Sequence, residues 1–192
     1  MSDVAYCAEV LSDVPGLGGV PAVALEELAR EFTLRSFDDQ IVCREGEPSD
    51  TLFILAEGDC EVIKTAPNAR RYKVAMLTPG CLFGHVGVMT LALRTATVRA
   101  RGHVKVLEMS ARRARQLLQA GDLPVASPFR RALIVALSRQ LGSATATTMK
   151  LAIDAGLDVA ATRQGARPVE GGEPEVDLEW ATSELARAHG QV

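Results

Sequence analysis

Pro79-Gly80-Cys81-Leu82-Phe83-Gly84-His85-Val86-Gly87-Val88-Met89-Thr90-Leu91-Ala92-Leu93-Arg94-Thr95-Ala96-Thr97-Val98-Arg99-Ala100 closes one β-strand and opens another. A Pro-Gly pair turns the chain at its start. A glycine-bearing loop then leads into a short apolar helical turn, and a single arginine, Arg94, precedes the next strand. Backbone N–H groups freed at such a turn point at an anion. An arginine further along folds back as a charged fork. The segment is therefore expected to hold a phosphate, with Val86, Val88, Met89 and Leu91 anchoring the helical turn to a sheet. Gly84 and Gly87 also suit plain turns, and an arginine at a strand start also suits plain surface.

The flanks read as β on both sides. From Thr33 to Ser110, short β-prone runs alternate with turn residues: Gln40–Cys43, Thr51–Leu55, Cys60–Lys64, Tyr72–Leu77, Thr95–Ala100 and Val104–Met109. Strands so spaced indicate a sandwich or barrel. The turns fall at Glu45–Asp50, Glu57-Gly58-Asp59, Pro67–Arg71 and Thr78-Pro79-Gly80.

Helices are expected outside this region. Residues 1–32 are read as helical, most clearly where Leu25, Leu28, Ala29 and Phe32 fall on one stripe after Pro21. Ser110 suits the cap of a helix through Leu118. Ser127-Pro128 suits the start of a long helix from Phe129 to about Met149, reaching toward Ile153. Residues 154–177 have a linker's composition, and Leu178–Ala188, with Trp180 and Leu185, forms a last amphipathic segment.

Composition narrows the function classes. The 192 residues are 47% hydrophobic and 23% charged, with a net charge of -3. That is the balance of a globular chain without a basic footprint for nucleic acid. No apolar run approaches the ~18 residues of a membrane helix, and the start of the chain lacks a secretory signal's pattern, so a cytoplasmic location is expected. Cys7, Cys43, Cys60 and Cys81 show no zinc spacing and are expected to be reduced thiols. His85, His103 and His189 lie far apart, against the clustered ligands of a metal-dependent barrel enzyme. No nucleophile triad or carboxylate pair is legible, so no enzymatic activity is expected. Charge is uneven: Arg99–Arg131 holds eight basic and two acidic residues, and Leu151–Val192 eight acidic and three basic. Two solvated faces, a tail folded onto the basic face, and a basic face for an anionic partner all fit.

On these residues the chain resembles the cyclic nucleotide-binding domain family, which includes catabolite activator protein and the regulatory subunit of protein kinase A. Its phosphate-binding cassette, Phe-Gly-Glu-(Leu/Ile)-Ala-Leu, a gap, then Arg-(Ala/Ser/Thr)-Ala-Thr-Val, is matched by Phe83-Gly84-His85-Val86-Gly87-Val88 and Arg94-Thr95-Ala96-Thr97-Val98. Ile41, Gly46, Asp50, Leu52, Phe53, Ile54, Leu55, Gly58 and Val62 resemble its upstream pattern. The likeness extends from about Leu11 to Ile153. It implies a mainly β fold with flanking α: a jelly-roll barrel of about eight strands (33–110) between helices 1–32 and 111–153.

The resemblance also implies a ligand site of Phe83, Gly84, His85, Val86, Gly87, Arg94, Thr95 and Ala96. In it, Arg94 meets the cyclic phosphate, amides near Gly87 and Thr95 add hydrogen bonds, the Thr95 hydroxyl adds another, and Gly84 lets the backbone approach the ribose. The implied ligand is cAMP, cGMP or a related phosphate, with no separate cofactor. Two departures stand out. His85 replaces the family's ribose-binding glutamate, and a neutral imidazole accepts only one bond. No recognition helix is legible after Ile153, so no DNA partner is expected. The expected function is regulatory: sensing the nucleotide and signalling through the C-terminal helices to a protein partner or a second copy, joined through 129–149 by Leu133, Ala136, Leu137 and Leu141. The alternative is an interaction module that kept the fold and lost the ligand.

Overall fold

The computed structural model describes residues 2–66, 68–121 and 123–154. The expected linker and the Trp180 segment lie outside the described residues, save Asp154. Residues 1–144 form one compact unit, which holds every feature discussed below.

Two helices open the chain. α1 (Asp3–Ser12) starts where the Ser2 hydroxyl accepts the Ala5 N–H at 3.3 Å, and it buries Cys7 and Leu11 one turn apart. α2 (Ala22–Ala29) buries Leu25, Leu28 and Ala29, with Pro21 as its N-cap. Six strands follow: β1 (Thr33–Asp38), β2 (Ile41–Cys43), β3 (Thr51–Thr65), β4 (Arg71–Leu77), β5 (Leu82–Phe83) and β6 (Thr97–Ser110). They form a single antiparallel sheet ordered β1-β6-β3-β4, with β2 added on β6 and β5 on β3.

The count of strands differs from the sequence expectation for a physical reason. The runs Thr51–Leu55 and Cys60–Lys64 are one strand, and so are Thr95–Ala100 and Val104–Met109, save that β6 starts at Thr97. Glu57-Gly58-Asp59 is a bulge inside β3: its register against β6 slips between Leu55 and Glu57 and again between Glu57 and Asp59. Gly58 and Gly102 take φ of +77° and +67°, so both long strands bend without ending. The bend lets one sheet curl into a roll. The front half of β3 meets β5 (Phe53 opposite Phe83) and the back half meets β4 (Cys60 opposite Leu77).

Leu52-Phe53-Ile54-Leu55 is buried on both faces. Leu52 and Ile54 point to the helices, where Leu107, Met109, Leu117, Phe129 and Leu133 complete one core. Phe53 and Leu55 point into the roll, with Cys60, Val98, Ala100, Val104 and Val106. Strict alternation along a doubly covered strand produces that continuous apolar run. Tyr6 ties α1 to the bulge: its hydroxyl donates to Glu57 at 2.5 Å, and Lys105 donates to the same carboxylate at 3.1 Å.

α4 (Ala111–Gln119) and α5 (Ala126–Asp154) close the unit. Ser110 caps α4 as its sequence implies, accepting the Arg113 N–H at 3.2 Å. Much of the basic run 99–131 is consumed inside the unit rather than forming a bare solvated face. Arg113 grips Glu31 with two bonds of 2.7 and 2.6 Å, and Arg115 donates to the Val88 carbonyl at 3.1 Å. Arg130 caps the end of α4 at the Ala120 carbonyl, 2.6 Å away, and Arg131 donates to the carbonyls of Gly16 and Gly18. The seam expected on α5 also changes. Leu133 is buried in the chain's own core, whereas Ile134, Leu137 and Leu141 are exposed.

The two bends respond differently to a methyl group. At Gly58 a Cβ would lie 2.5 Å from the His103 carbonyl oxygen, whereas at Gly102 it meets open space. Gly102→Ala is expected to lose only the left-handed backbone penalty, about 1–2 kcal/mol. Gly58→Ala is expected to lose about 3 kcal/mol or more, because overpacking adds to that penalty. Urea denaturation of the two variants measures the difference, and equal losses would show that the bend at Gly58 yields freely.

Candidate functional site

The site is organised around the arginine before β6. Its backbone is stitched on both sides to the loop after β2: the Arg94 N–H donates to the Glu47 carbonyl at 2.8 Å, and the Gly46 N–H donates to the Arg94 carbonyl at 2.9 Å. Pro48 and Leu93 form a further antiparallel bridge. The side chain is thereby sent inward and is only 6% exposed. Nη1 donates to the Gly84 carbonyl at 3.1 Å and Nη2 to the Thr51 hydroxyl at 2.7 Å. The Asp50 carboxylate lies 3.9 Å from Nη2, and the guanidinium carbon sits 5.6 Å from the centre of the Phe53 ring. A guanidinium keeps its charge when buried, so it needs such partners. It carries five N–H donors, of which one bonds Gly84 and one Thr51.

α3 (His85–Thr90) is the short helical turn of the cassette. Gly84 is its N-cap at φ +75°, and a Cβ there would lie 2.5 Å from the Arg94 Nη1. Glycine is thus required twice over, by the backbone and by the guanidinium. A Cβ on Gly87 would collide with the Ser49 side chain. Arg115 holds the other end of the turn through the Val88 carbonyl.

His85 is 4% exposed, and neither ring nitrogen has a hydrogen-bond partner among the described residues. Burial pushes its pKa below the ordinary value of 6.5, opposed by the side chain of Gln140 on α5. The ring is therefore neutral near pH 7, with one nitrogen able to donate and the other to accept. The Ser49 hydroxyl is likewise buried without a partner. Two orphaned polar groups in one small region are unusual in a finished core, and a polar ligand satisfies such groups.

The eight residues singled out from the sequence fall into four sets. Arg94 meets Gly84 directly, and His85 and Gly87 follow Gly84 on the same turn, with Gly87 against Ser49. Phe83 is buried in the roll, stacked on Phe53 with ring centres 5.1 Å apart, so it supports the floor. The Val86 carbonyl accepts the Thr90 hydroxyl at 2.9 Å. Thr95 is exposed, and Ala96 is half-buried beside it. The site also includes Glu47, Ser49, Asp50 and Thr51, which the sequence reading did not assign to it. Asp50 carried the only signal, as part of the upstream family pattern. All four cysteines are free, and burial pushes the Cys43 thiol up despite nearby Arg94. Among the described residues, no group of three or more His, Cys, Asp or Glu is arranged to hold a metal.

Comparison with known proteins places this geometry. Residues 37–120 match the family model of the cyclic nucleotide-binding domain. Over 109 residues the chain is 28% identical to a cAMP-dependent protein kinase regulatory subunit of Blastocladiella emersonii, covering 56% of this chain and 27% of that protein. The fold is similar to a cyclic nucleotide-binding domain from Methylobacillus flagellatus KT, with a TM-score of 0.66, 21% identity, and coverage of 77% of this chain and 83% of that one. It is also similar to the Catabolite Activator Protein of Thermus thermophilus, with a TM-score of 0.62, 19% identity, and coverage of 72% and 63%. The chain spans about a quarter of the length of the first curated relatives it matches.

Two measurements probe the site without a ligand. Thr51→Val removes an acceptor from a buried cation and is expected to cost about 1–3 kcal/mol in chemical denaturation; an unchanged midpoint would mean that the guanidinium finds another partner. His85 has its pKa lowered in the fold. Between that lowered value and about 6.5 the unfolded chain binds the extra proton and the fold does not. The His85 contribution is therefore fully present above pH ~6.5 and is lost as pH falls toward the folded pKa. The stability of the natural chain relative to His85→Gln is expected to drop between pH 7.5 and 5.5; a pH-independent difference would contradict a buried neutral ring.

Proposed function

We propose that this chain, whose residues 37–120 match the family model of the cyclic nucleotide-binding domain, is a regulatory sensor of a cyclic nucleotide or a closely related phosphate. The observation that carries the reading is the buried guanidinium of Arg94, held by the Gly84 carbonyl and the Thr51 hydroxyl, together with two buried polar side chains, His85 on the α3 turn and Ser49 against Gly87 of that turn, that lack a hydrogen-bond partner among the described residues. The cyclic phosphate would take the remaining Arg94 donors, joined by amides near Gly87 and Thr95 and by the Thr95 hydroxyl. Gly84 would let the ribose approach, and its hydroxyl would bond to the neutral imidazole. The reading gives the chain no chemical step: its work is binding and transmission.

Transmission would run through α5. Gln140 sits within electrostatic reach of His85, so a ligand bonded to the imidazole changes what α5 meets. A downstream protein, or a second copy packed along Ile134, Leu137 and Leu141, would read that change.

A second reading has its own observation. Arg94 already has Gly84, Thr51 and Asp50 as partners without any ligand, which suits a module that kept the fold and lost the nucleotide.

Calorimetry with cAMP, cGMP and a cyclic dinucleotide separates the two. The sensor reading expects saturable heat with at least one of them, absent in Arg94→Ala. His85→Glu is expected to tighten binding roughly ten- to hundredfold, because a carboxylate accepts a charge-assisted bond from the ribose hydroxyl. Folded protein that gives no heat with any of the three, and gains binding only as His85→Glu, supports the second reading.

A further inference from the structure

The outer face of the roll carries a second feature that the cassette does not use. A cleft of about 260 Å³ opens where β2, β3, β4 and β6 meet, and three arginines, Arg44, Arg71 and Arg99, line it. Its apolar lining is Ile41 and Ile63, and Thr97 adds a hydroxyl. Alternation fixes which face this is. Val98 and Ala100 point into the roll, so Thr97 and Arg99 point away from it, and Ile63 does the same beside inward-packed Val62. The cleft is therefore separated from the Arg94 site by the thickness of the sheet.

The charges there are not balanced pair by pair. Arg99 lies 3.8 Å from Glu61, but Arg101 takes the same carboxylate at 3.4 Å, so one anion serves two guanidiniums. The Arg99 Nε also leans on the Asp39 carbonyl at 3.5 Å, which steadies the fork. The Asp39 carboxylate, the one acidic group in the lining, accepts the Gly102 N–H at 2.8 Å. Arg44 meets Glu47 at 3.7 Å in an exposed pair, which is weak in water. The Arg71 side chain has no ion-pair or hydrogen-bond partner among the described residues. The Thr97 hydroxyl accepts the Glu45 N–H at 3.0 Å, which leaves its own proton free to donate.

We propose that this cleft is a second binding site, for a small phosphate monoester whose organic part rests on Ile41 and Ile63. Three planar forks, Arg44 just after β2, Arg71 on β4 and Arg99 on β6, suit a tetrahedral dianion, whereas a carboxylate occupies one fork. The size limits the organic part to about one ring, since the volume sits below the usual range for drug-sized ligands. The site is independent of cyclic nucleotide binding at Arg94.

Phenyl phosphate is a direct probe. In amide-resolved NMR titration of the full chain it is expected to shift Ile63, Thr97 and Arg99 saturably, and inorganic phosphate and benzoate are expected to bind more weakly. Arg71→Ala removes no described polar contact, so its melting midpoint should hold while phenyl phosphate binding weakens roughly tenfold, the loss of one charged hydrogen bond. Shifts centred on residues 84–95, shifts that never saturate, or equal affinity in Arg71→Ala would each overturn the proposal. If the midpoint of Arg71→Ala drops, Arg71→Gln repeats the comparison under the same criterion.

Discussion

A guanidinium that is 6% exposed sets conditions on everything around it. It cannot shed its charge, so each part of the chain that touches it must offer oxygen or an aromatic face. Thr51 supplies a hydroxyl, Gly84 a carbonyl, Asp50 a carboxylate and Phe53 a ring. Those groups come from the start of β3 and the start of α3, so the ion joins two elements far apart in sequence. The lack of a side chain at Gly84 follows from the same requirement, because the guanidinium occupies the space a Cβ would need. The cassette is in this sense built from the arginine outward.

The roll makes that meeting geometrically available. Had β3 ended at Glu57, as its turn-like residues imply, Thr51 and Cys60 would belong to separate strands with independent registers. The bulge keeps them on one strand and turns its back half toward β4. Its front half pairs with β5, which places Phe83 opposite Phe53 and Gly84 directly after it. The glycine-eased bend and the buried charge are thus coupled: the first brings Gly84 to Thr51, and the second holds them there.

Much of this was legible in the residues. The apolar run Leu52–Leu55, the cap at Ser110, and the spacing from Gly84 to Arg94 all carry local signals that the fold respects. What was not legible depends on pairing at long range. Glu57-Gly58-Asp59 has turn chemistry, and only its alignment against β6 makes it a bulge. Ser49 looks like an ordinary loop polar residue and Thr51 like an ordinary strand start; they join the site because Glu47 and Gly46 clamp the Arg94 backbone. The basic run Arg99–Arg131 suggested a face for an anionic partner, but Arg113 and Arg131 are occupied by Glu31 and by a carbonyl of Gly18, both distant in sequence, and Arg130 by the Ala120 carbonyl at the end of α4. Composition reports charge and says nothing of where its counterpart lies.

The exchange of a carboxylate for His85 takes its meaning from this arrangement. A glutamate at position 85 would bring a negative charge and an acceptor for a hydroxyl. A neutral imidazole offers the acceptor alone. The burden of balancing Arg94 then falls on Asp50, which is largely exposed and 3.9 Å away, and so is screened by water. The pocket is left more positive than a carboxylate would leave it, and the buried ring nitrogens of His85 lack hydrogen-bond partners among the described residues. Burial of the ring disfavours its protonation.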